Sequence, residues 1–546
     1  LHRASRRGGD RLFLHEQDAV AELLGLADAD ELVRQVYTDA RTIAYAADAS
    51  WQQVERWTSS RRTRWSPRRG GADRRPLADG VVAQDGEVVL ARDADPATDA
   101  TLALRVAAAA ATAGLPVGTH TLERLSASGA AMPLIWPESA RRTLITLLGA
   151  GRGLVGVWEA FDQYGLVPRW FPEWSRVRSL PQRNAVHRFT VDRHLVETAA
   201  AAAAFTRRVS RPDLLFLAAL LHDLGKGLPG DHSITGAVVA ADIVERLGLS
   251  VSDGAAVVTA VRRHLLLAET ATRRDLDDPL TIHAVAEAVG HDPMVLDLLH
   301  ALTEADALAT GPAAWSEWKA GLVADLVRRT QVLLGEGAPP PPAPLSPDLA
   351  ALAKVGELAV RVSPDSVAVV APDARGLLSR AAGVLSLHRL DVLSADASTL
   401  EGMAVVVFSA RPRFGTPPDA ALLAADLRRA ARGELQVAAK LAARERAYRR
   451  PSRPNLVPSA PARVVWLQDA ATDATVLELR ARDSAGLLHR ITSALEEAGV
   501  DLYRARVSTL GADVVDAFYL RGQIGDPQVR ERVEALVLAG VESALR

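Results

Sequence analysis

Leu220-Leu221-His222-Asp223-Leu224-Gly225-Lys226-Gly227 is the stretch around which this chain is organised. It closes an apolar run that begins at Leu214, and the pattern predicts a helix stopped by Gly225 and Gly227. An imidazole and a carboxylate at the end of such a run are costly to bury unless something compensates them. A divalent metal compensates both, and a nitrogen-plus-oxygen donor set suits borderline or hard divalent cations: zinc, manganese, iron or magnesium. The plainer reading is a helix C-terminus with a histidine near the negative end of the dipole. A lone His-Asp pair does not decide between the two.

The rest of the donor set lies between residues 176 and 334. His187 and His194 fall in His187-Arg188-Phe189-Thr190-Val191-Asp192-Arg193-His194, with His194 expected on a helix that runs on through Leu195 and Val196. His232 follows in Asp231-His232-Ser233, His264 in Arg263-His264-Leu265, and Asp306 in Thr303-Glu304-Ala305-Asp306. These residues come from separate helices, as a site in the core of a bundle requires. Any one of them is more readily explained as a surface or capping residue, but the ordered set is hard to obtain by chance.

This order of residues resembles the HD superfamily of metal-dependent phosphohydrolases. The resemblance implies an all-helical domain in which His194, His222, Asp223 and Asp306 hold the primary metal, with His232 and His264 as the additional histidines of some members. It also implies catalytic roles for Asp223, which would ligate and help position water, and for Lys226, which would touch the phosphate. A metal in such a site lowers the pKa of bound water and polarises the phosphoryl oxygen.

Length and composition limit the alternatives. A chain of 546 residues suggests three or four domains. The net charge of −2 gives no global signal for DNA or a membrane surface. Cysteine is absent, which excludes disulfides, thiolate zinc sites and cysteine nucleophiles and fits a cytoplasmic setting. No apolar run approaches a membrane span, and no signal peptide is visible. The chain opens on Leu1 and is expected to be part of a longer protein.

Residues 1–175 read as helical, with apolar residues at three- and four-residue spacings over Asp18–Leu26 and Ala29–Trp51. Arg61, Arg62, Arg64, Arg68, Arg69, Arg74 and Arg75 crowd a loop, read as a solvated surface with an anion-contacting arm as the alternative. Gly80–Ala91 reads as a β-hairpin turning at Asp85-Gly86, and Leu102–Gly114 as helix. Trp158, Trp170, Phe171 and Trp174 are expected to pack a junction. A Pro-rich linker, 335–362, ends the central region 176–334.

Beyond it the chain repeats itself. Asp373-Ala374-Arg375-Gly376-Leu377-Leu378-Ser379-Arg380 matches Asp483-Ser484-Ala485-Gly486-Leu487-Leu488-His489-Arg490, an offset of 110 residues (483 − 373). The offset also holds for Asp391 and Asp501 and for Phe408 and Phe518. Each copy, 363–445 and 463–546 with a linker at 446–462, reads as strand, Gly turn, helix, strand, strand, helix. The copies resemble ACT domains, the small-molecule sensors of amino-acid metabolism. That implies a ferredoxin-like βαββαβ fold; the last strand of the first copy is hard to place, and the second copy is expected to end within its final strand. It also implies effector binding around Asp373, Gly376 and Leu377 and around Asp483, Gly486 and Leu487. A glycine at a helix N-terminus lets backbone N–H groups approach an anion. Packing or dimerisation alone is the other use of such a pair.

The layout as a whole resembles the bifunctional uridylyltransferase/uridylyl-removing enzymes of the PII nitrogen-regulatory protein. The likeness extends to Gln84-Asp85-Gly86-Glu87-Val88, to Pro181-Gln182-Arg183-Asn184 and to Ala309-Thr310-Gly311-Pro312 with Trp315 and Trp318. It implies PII as partner, glutamine as effector and removal of a uridylyl or adenylyl group. The family's Gly-Ser and Asp-x-Asp transferase motif is not found. Asp28-Ala29-Asp30 and Asp93-Ala94-Asp95 have no Gly-Ser partner and read as loop or helix-end carboxylates. The expected fold is therefore multidomain: an all-α N-terminal region with a small hairpin, an all-α HD domain and two α/β ACT domains. An ACT-controlled hydrolase of another nucleotide, such as guanosine tetraphosphate, and a non-catalytic ACT regulator are the alternative readings.

Overall fold

The structure, a computed structural model, describes residues 1, 3, 10–63, 74–183, 187–312, 314–338, 345–413, 416–448, 461–467, 471–472, 474–484, 486–507, 509–510, 513–522 and 524–542. The arginine-rich positions Arg64, Arg68 and Arg69, the prolines at 339–344, most of the second linker, Asn184 and Ala485 lie outside the described residues. The chain forms two compact units. One comprises Leu1–Leu267 and Ala288–Val327, the other Ala268–Glu287 and Arg328–Arg546. The division does not follow sequence order, because a piece of the central region belongs with the C-terminal unit.

The first unit is helical with one small sheet. Strands Arg75–Ala78, Val81–Gln84 and Glu87–Leu90 pair antiparallel, so the expected hairpin has a third strand at its edge. Asp85 and Gly86 both take positive φ (52° and 80°), the conformation a two-residue hairpin turn demands. Helix Leu102–Ala113 is built on alanine, the best helix former, and ends at Gly114 in the left-handed region. The helix predicted from Ala29 runs to Thr63, well past Trp51. Trp158 packs against Trp170, Phe171 and Trp174 with ring centroids 5.3–6.3 Å apart, so the aromatics do cluster, but inside one compact unit and not at a boundary between units. The donor-bearing helices are Val191–Ala202, Pro212–Leu221, His232–Arg246, Val251–Arg262 and Pro293–Thr310. Pro212–Leu221 is buried on every side from Leu214 to Leu221, which explains its lack of a polar face.

In the second unit an antiparallel sheet joins both repeats. The first copy contributes Ala359–Val362, Ser366–Pro372, Leu390–Leu400 and Met403–Pro412, and the second Arg463–Leu467, Thr475–Arg482, Asp501–Arg506 and Asp513–Arg521. The copies meet where Leu390–Leu400 pairs with Asp501–Arg506, with Arg504 opposite Asp396 and Ala505 opposite Ala395. Helices Leu377–Leu387, Ala420–Ala431, Leu487–Ala498 and Pro527–Glu542 share one core with the sheet, through Val384, Leu427, Ile491, Val537, Phe408 and Phe518. The fourth strand of each copy precedes the others in sequence instead of following the last helix. It pairs with its neighbour as a hairpin partner, Ala359 opposite Val370 and Arg463 opposite Arg480. No single helix among the described residues is long and apolar enough to cross a membrane.

Arg41 ties the long N-terminal helix into the first unit. Its guanidinium reaches Glu159 at 2.8 Å, Asp162 at 2.9 Å and Asp192 at 2.7 Å, and donates to Ser179 at 3.1 Å. Asp162 and Asp192 are buried; Asp162 keeps Arg178 at 2.8 Å, but removing Arg41 leaves Asp192 without its cation, which costs about 3–5 kcal/mol for a buried pair. Arg41→Met should lower the stability of the chain by about 3 kcal/mol on that basis. Urea unfolding checks it, and an unchanged midpoint would show the hub to be dispensable.

Candidate functional site

Five chain segments bring the donors together. His194 projects from the first half of its helix, and His222 is the C-cap of Pro212–Leu221 with Asp223 next in the turn. The helix therefore ends at the His-Asp pair, ahead of the two glycines. Gly225 serves close approach: a Cβ there would collide with His232 O and lie 2.5 Å from Gly236 N. The turn after Asp223 can thus lie directly on the first turn of His232–Arg246, and that contact delivers His232 to the site. Asp231 caps that helix by accepting from the N–H groups of Ser233 and Ile234. His264 lies just past Val251–Arg262, and Asp306 on Pro293–Thr310.

The donor atoms fall into two groups, His194, His222 and Asp306, and Asp223, His232 and His264. In the first, His194 Nε2 lies 2.9 Å from Asp306 Oδ1 and 3.2 Å from His222 Nε2. In the second, Asp223 Oδ1 lies 3.6 Å from His232 Nε2 and 3.7 Å from His264 Nε2. Asp223 Oδ2 faces the first group, 3.5 Å from His222 Nε2 and 3.8 Å from His194 Nε2. Its carboxylate stands between the groups with one oxygen toward each.

Ring orientation is set from behind. His222 Nδ1 donates to Ala219 O at 2.9 Å, and His264 Nδ1 to Val261 O at 2.7 Å. Their Nε2 lone pairs are thereby turned inward, the second-shell arrangement common to metal-ligating histidines. Asp223 Oδ1 is buried without a hydrogen-bond partner, and its 3.6–3.7 Å separations are too long for hydrogen bonds. They suit donors sharing one ion, since metal–donor bonds of about 2.0–2.2 Å set donors roughly 3.0–3.6 Å apart. Converging lone pairs and an orphaned carboxylate oxygen fit a divalent cation in each group.

Burial pushes His222 down to about 4, and it pushes His187 down to about 4 with help from Lys226 and His194. Burial alone would raise the carboxyls of Asp223 and Asp306. For Asp223 the interactions with the His222 imidazole and the Lys226 ammonium override it, and for Asp306 the hydrogen bond from His194 does, so both stay ionised. His222 as a neutral imidazole and Asp223 and Asp306 as carboxylates are thus in the form that binds a metal. Lys226 Nζ lies 2.6 Å from Asp223 Oδ2 and donates to Gln182 Oε1 at 2.6 Å.

Two neighbours carry no metal or catalytic assignment from the sequence: Gln182, and His187, which the sequence places only in the same stretch as His194. Gln182 holds Lys226. The ring of His187 meets that of His194 edge-on at 5.8 Å, and His187 Nδ1 is buried without a hydrogen-bond partner. Both line a cleft of about 810 Å³, with Tyr45, Arg152, Arg188 and Arg193 on its other walls. Pro181-Gln182-Arg183 entered the sequence reading only as a resemblance, and no spacing rule connects it to residue 226.

The HD domain family matches residues 191–311, which span all six donors, and the ACT domain family matches residues 475–538, in the second repeat. A bifunctional uridylyltransferase/uridylyl-removing enzyme of Streptomyces coelicolor is 48% identical, over 100% of this chain and 72% of its own length. The chain belongs to the bifunctional uridylyltransferase/uridylyl-removing enzyme family. Enzymes of the same description from Mycobacterium tuberculosis and Corynebacterium glutamicum are 45% and 39% identical. The first match covers 95% of this chain and 66% of the relative, the second 58% and 45%.

In this family member Asp28 Oδ1 accepts from Glu31 N and Asp95 Oδ1 from Ala97 N, so these carboxylates cap local turns. The two Gly turns of the ACT repeats are not equivalent. Gly376 and Gly486 both take positive φ (79° and 74°). Against Gly376 stands the carboxylate of Glu496, which also accepts from Ser379 Oγ at 3.2 Å. The pseudo-equivalent neighbour of Gly486 is Ser386, whose Oγ would lie 3.6 Å from a Cβ there. Asp373 accepts from Thr399, and Asp483 from Arg413. Leu377 and Leu487 bury their side chains in the core and spend their N–H groups on Ala374 O and Ser484 O. They shape the turns from below and offer an effector no free donor of their own.

The histidine shifts carry a pH signature. A histidine whose pKa falls from 6.5 to about 4 on folding contributes stability that is full above about 6.5 and is lost as pH falls toward 4. The depressed Asp223 and Asp306 add to this only below their ordinary 3.8. The melting temperature of the metal-free chain should therefore fall between pH 6.5 and 4, and less steeply in His222→Asn. Parallel profiles for the two proteins would contradict the buried-neutral assignment.

Proposed function

We propose that this chain hydrolyses the nucleotidyl–tyrosine phosphodiester of modified PII protein, under control of glutamine bound by the ACT repeats. The observation that carries the hydrolase reading is the convergence of His194, His222, Asp223, His232, His264 and Asp306 into two donor groups joined by one carboxylate. Family membership directs it to nucleotidyl removal from PII. The cofactor is a divalent cation: the two carboxylates suit magnesium or manganese, and the four imidazoles suit zinc or iron. When bound it acts as Lewis acid toward a phosphoryl oxygen and makes a nucleophile of water near neutral pH.

The chain's own residues do the rest. His194, His222 and Asp306 hold one cation position, Asp223, His232 and His264 the other. Lys226, fixed between Asp223 and Gln182, places a cation beside the cluster to receive phosphoryl charge. The cleft past His187 gives the nucleotidyl-tyrosine a polar seat, with Arg188 and Arg193 in its wall. His187 stays neutral there and offers a hydrogen bond without adding charge.

For the sensor, the Gly486 turn is the better receptor of an effector carboxylate. The Gly376 turn faces Glu496, whose like charge opposes a second carboxylate, whereas Gly486 faces the hydroxyl of Ser386. Glutamine is the effector this family membership favours.

Incubation of the chain with uridylylated or adenylylated PII, followed by mass spectrometry, tests the activity. Release should require added metal and stop with EDTA, and His222→Ala and Asp306→Ala should each lose about 10²–10³-fold in kcat, in line with removal of principal electrostatic stabilisation. Wild-type turnover in either variant would refute the site. Ser386→Glu, which copies the charge found at the other turn, should abolish the response to glutamine, while Glu496→Gln keeps it. The reverse result would place the effector at Gly376.

A further inference from the structure

Residues 268–287 lie between the ligand candidates His264 and Asp306 in sequence, yet they belong to the compact unit of the ACT repeats. The chain passes from one unit to the other within helix Leu266–Arg273, the helix that follows His264 directly. It returns near the end of Pro279–Ala288, ahead of the helix that carries Asp306.

The turn between these two helices is fixed to the sheet by a dense set of polar contacts. Tyr519 OH, at the end of a buried side chain, accepts from Asp275 N–H at 2.5 Å and donates to Arg273 O at 3.2 Å. Arg504 pairs with Asp275, and with Asp277 at 3.0 Å. Asp278 accepts from Thr472 twice, from its N–H at 2.6 Å and its hydroxyl at 2.5 Å. Asp277 is also held by Arg329 at 2.9 Å. Three acidic side chains within four residues would repel one another and stay in solvent without such partners, yet Asp275 and Asp278 are buried.

Position on the sheet gives this clamp its meaning. Arg504 and Asp396 are register partners on the two strands that join the repeats, and Arg504 Nε lies 2.9 Å from Asp396. One guanidinium thus bonds the first repeat and the strap together. Any shift of one repeat against the other must change the geometry at Arg504.

We propose that 268–287 is a strap through which the ACT sheet positions His264, and that Tyr519 and Thr472 are positioning residues for the second cation group. The inference rests on the two-group reading of the metal cluster. Loosening the strap frees the helix that begins just after His264, so that imidazole is no longer presented to Asp223 and His232. The group of His194, His222 and Asp306 draws two of its three ligands from segments before the strap and is less affected.

Manganese titration of the full-length chain by calorimetry, with amide exchange over 266–287, tests this. Tyr519→Phe retains the ring and deletes only the hydroxyl, and Thr472→Val deletes one of the two bonds to Asp278. Both should weaken one of two manganese equivalents at least tenfold, leave the other within about twofold, and speed exchange across 266–280. Thr472→Ser, which keeps the hydroxyl, should restore wild-type titration, as repair of a merely crowded site would not. Wild-type affinity for both equivalents in Tyr519→Phe and Thr472→Val would overturn the proposal. A wild-type chain that binds a single equivalent would overturn the two-group reading itself, and the strap with it.

Discussion

A carboxylate buried among four imidazoles sets the terms for the catalytic half of this chain. Asp223 has His194, His222, His232 and His264 within 3.8 Å of its two oxygens, and one of those oxygens has no hydrogen-bond partner. Such a group is expensive unless cations face it. Lys226 supplies one, and the inward lone pairs of the histidines prepare for others. The surrounding structure serves this arrangement. Backbone carbonyls of Ala219 and Val261 fix two rings, Gly225 permits the crossing that delivers His232, and Gln182 holds Lys226 in place.

The C-terminal unit shows how duplication yields inequivalent sites. Two copies of one motif join edge to edge, and their first-helix glycines adopt the same left-handed backbone. One difference, Glu496 against Ser386, changes the charge seen at the two turns. The pairing of strands across the junction sets Arg504 beside Asp396, and from there the same guanidinium reaches a segment of the central region. The two repeats and residues 275–277 therefore meet on a single pair of strands.

Much of the local structure follows from local sequence. Asp85-Gly86 specifies its hairpin turn because both residues tolerate positive φ. The alanine-rich Leu102–Ala113 is helical by propensity and ends at Gly114 by the same positive-φ rule. The internal repeat is visible because a common motif recurs at a fixed offset. The third strand of the small sheet was not read, since Arg75-Pro76-Leu77-Ala78 has no alternation. A ferredoxin-like order puts the last strand after the last helix, whereas Ala359–Val362 and Arg463–Leu467 each precede the strand they pair with, a placement the repeat motif does not encode.

For the site, the sequence by itself determined which residues have metal-binding chemistry and the order in which they occur. Imidazole and carboxylate are the only strong donors available in a chain without cysteine, and their order is a one-dimensional property. Tertiary structure alone decided how they divide into two groups, that Asp223 faces both, and that Gln182 and His187 join them. It also decided that residues 268–287 pack with the ACT sheet although they lie between two ligands in sequence. The physical reason is the same in each case. These facts depend on which surfaces meet across long sequence separations, where a Cβ is absent at Gly225 and where a buried Asp275 finds Arg504, and no local pattern encodes such meetings.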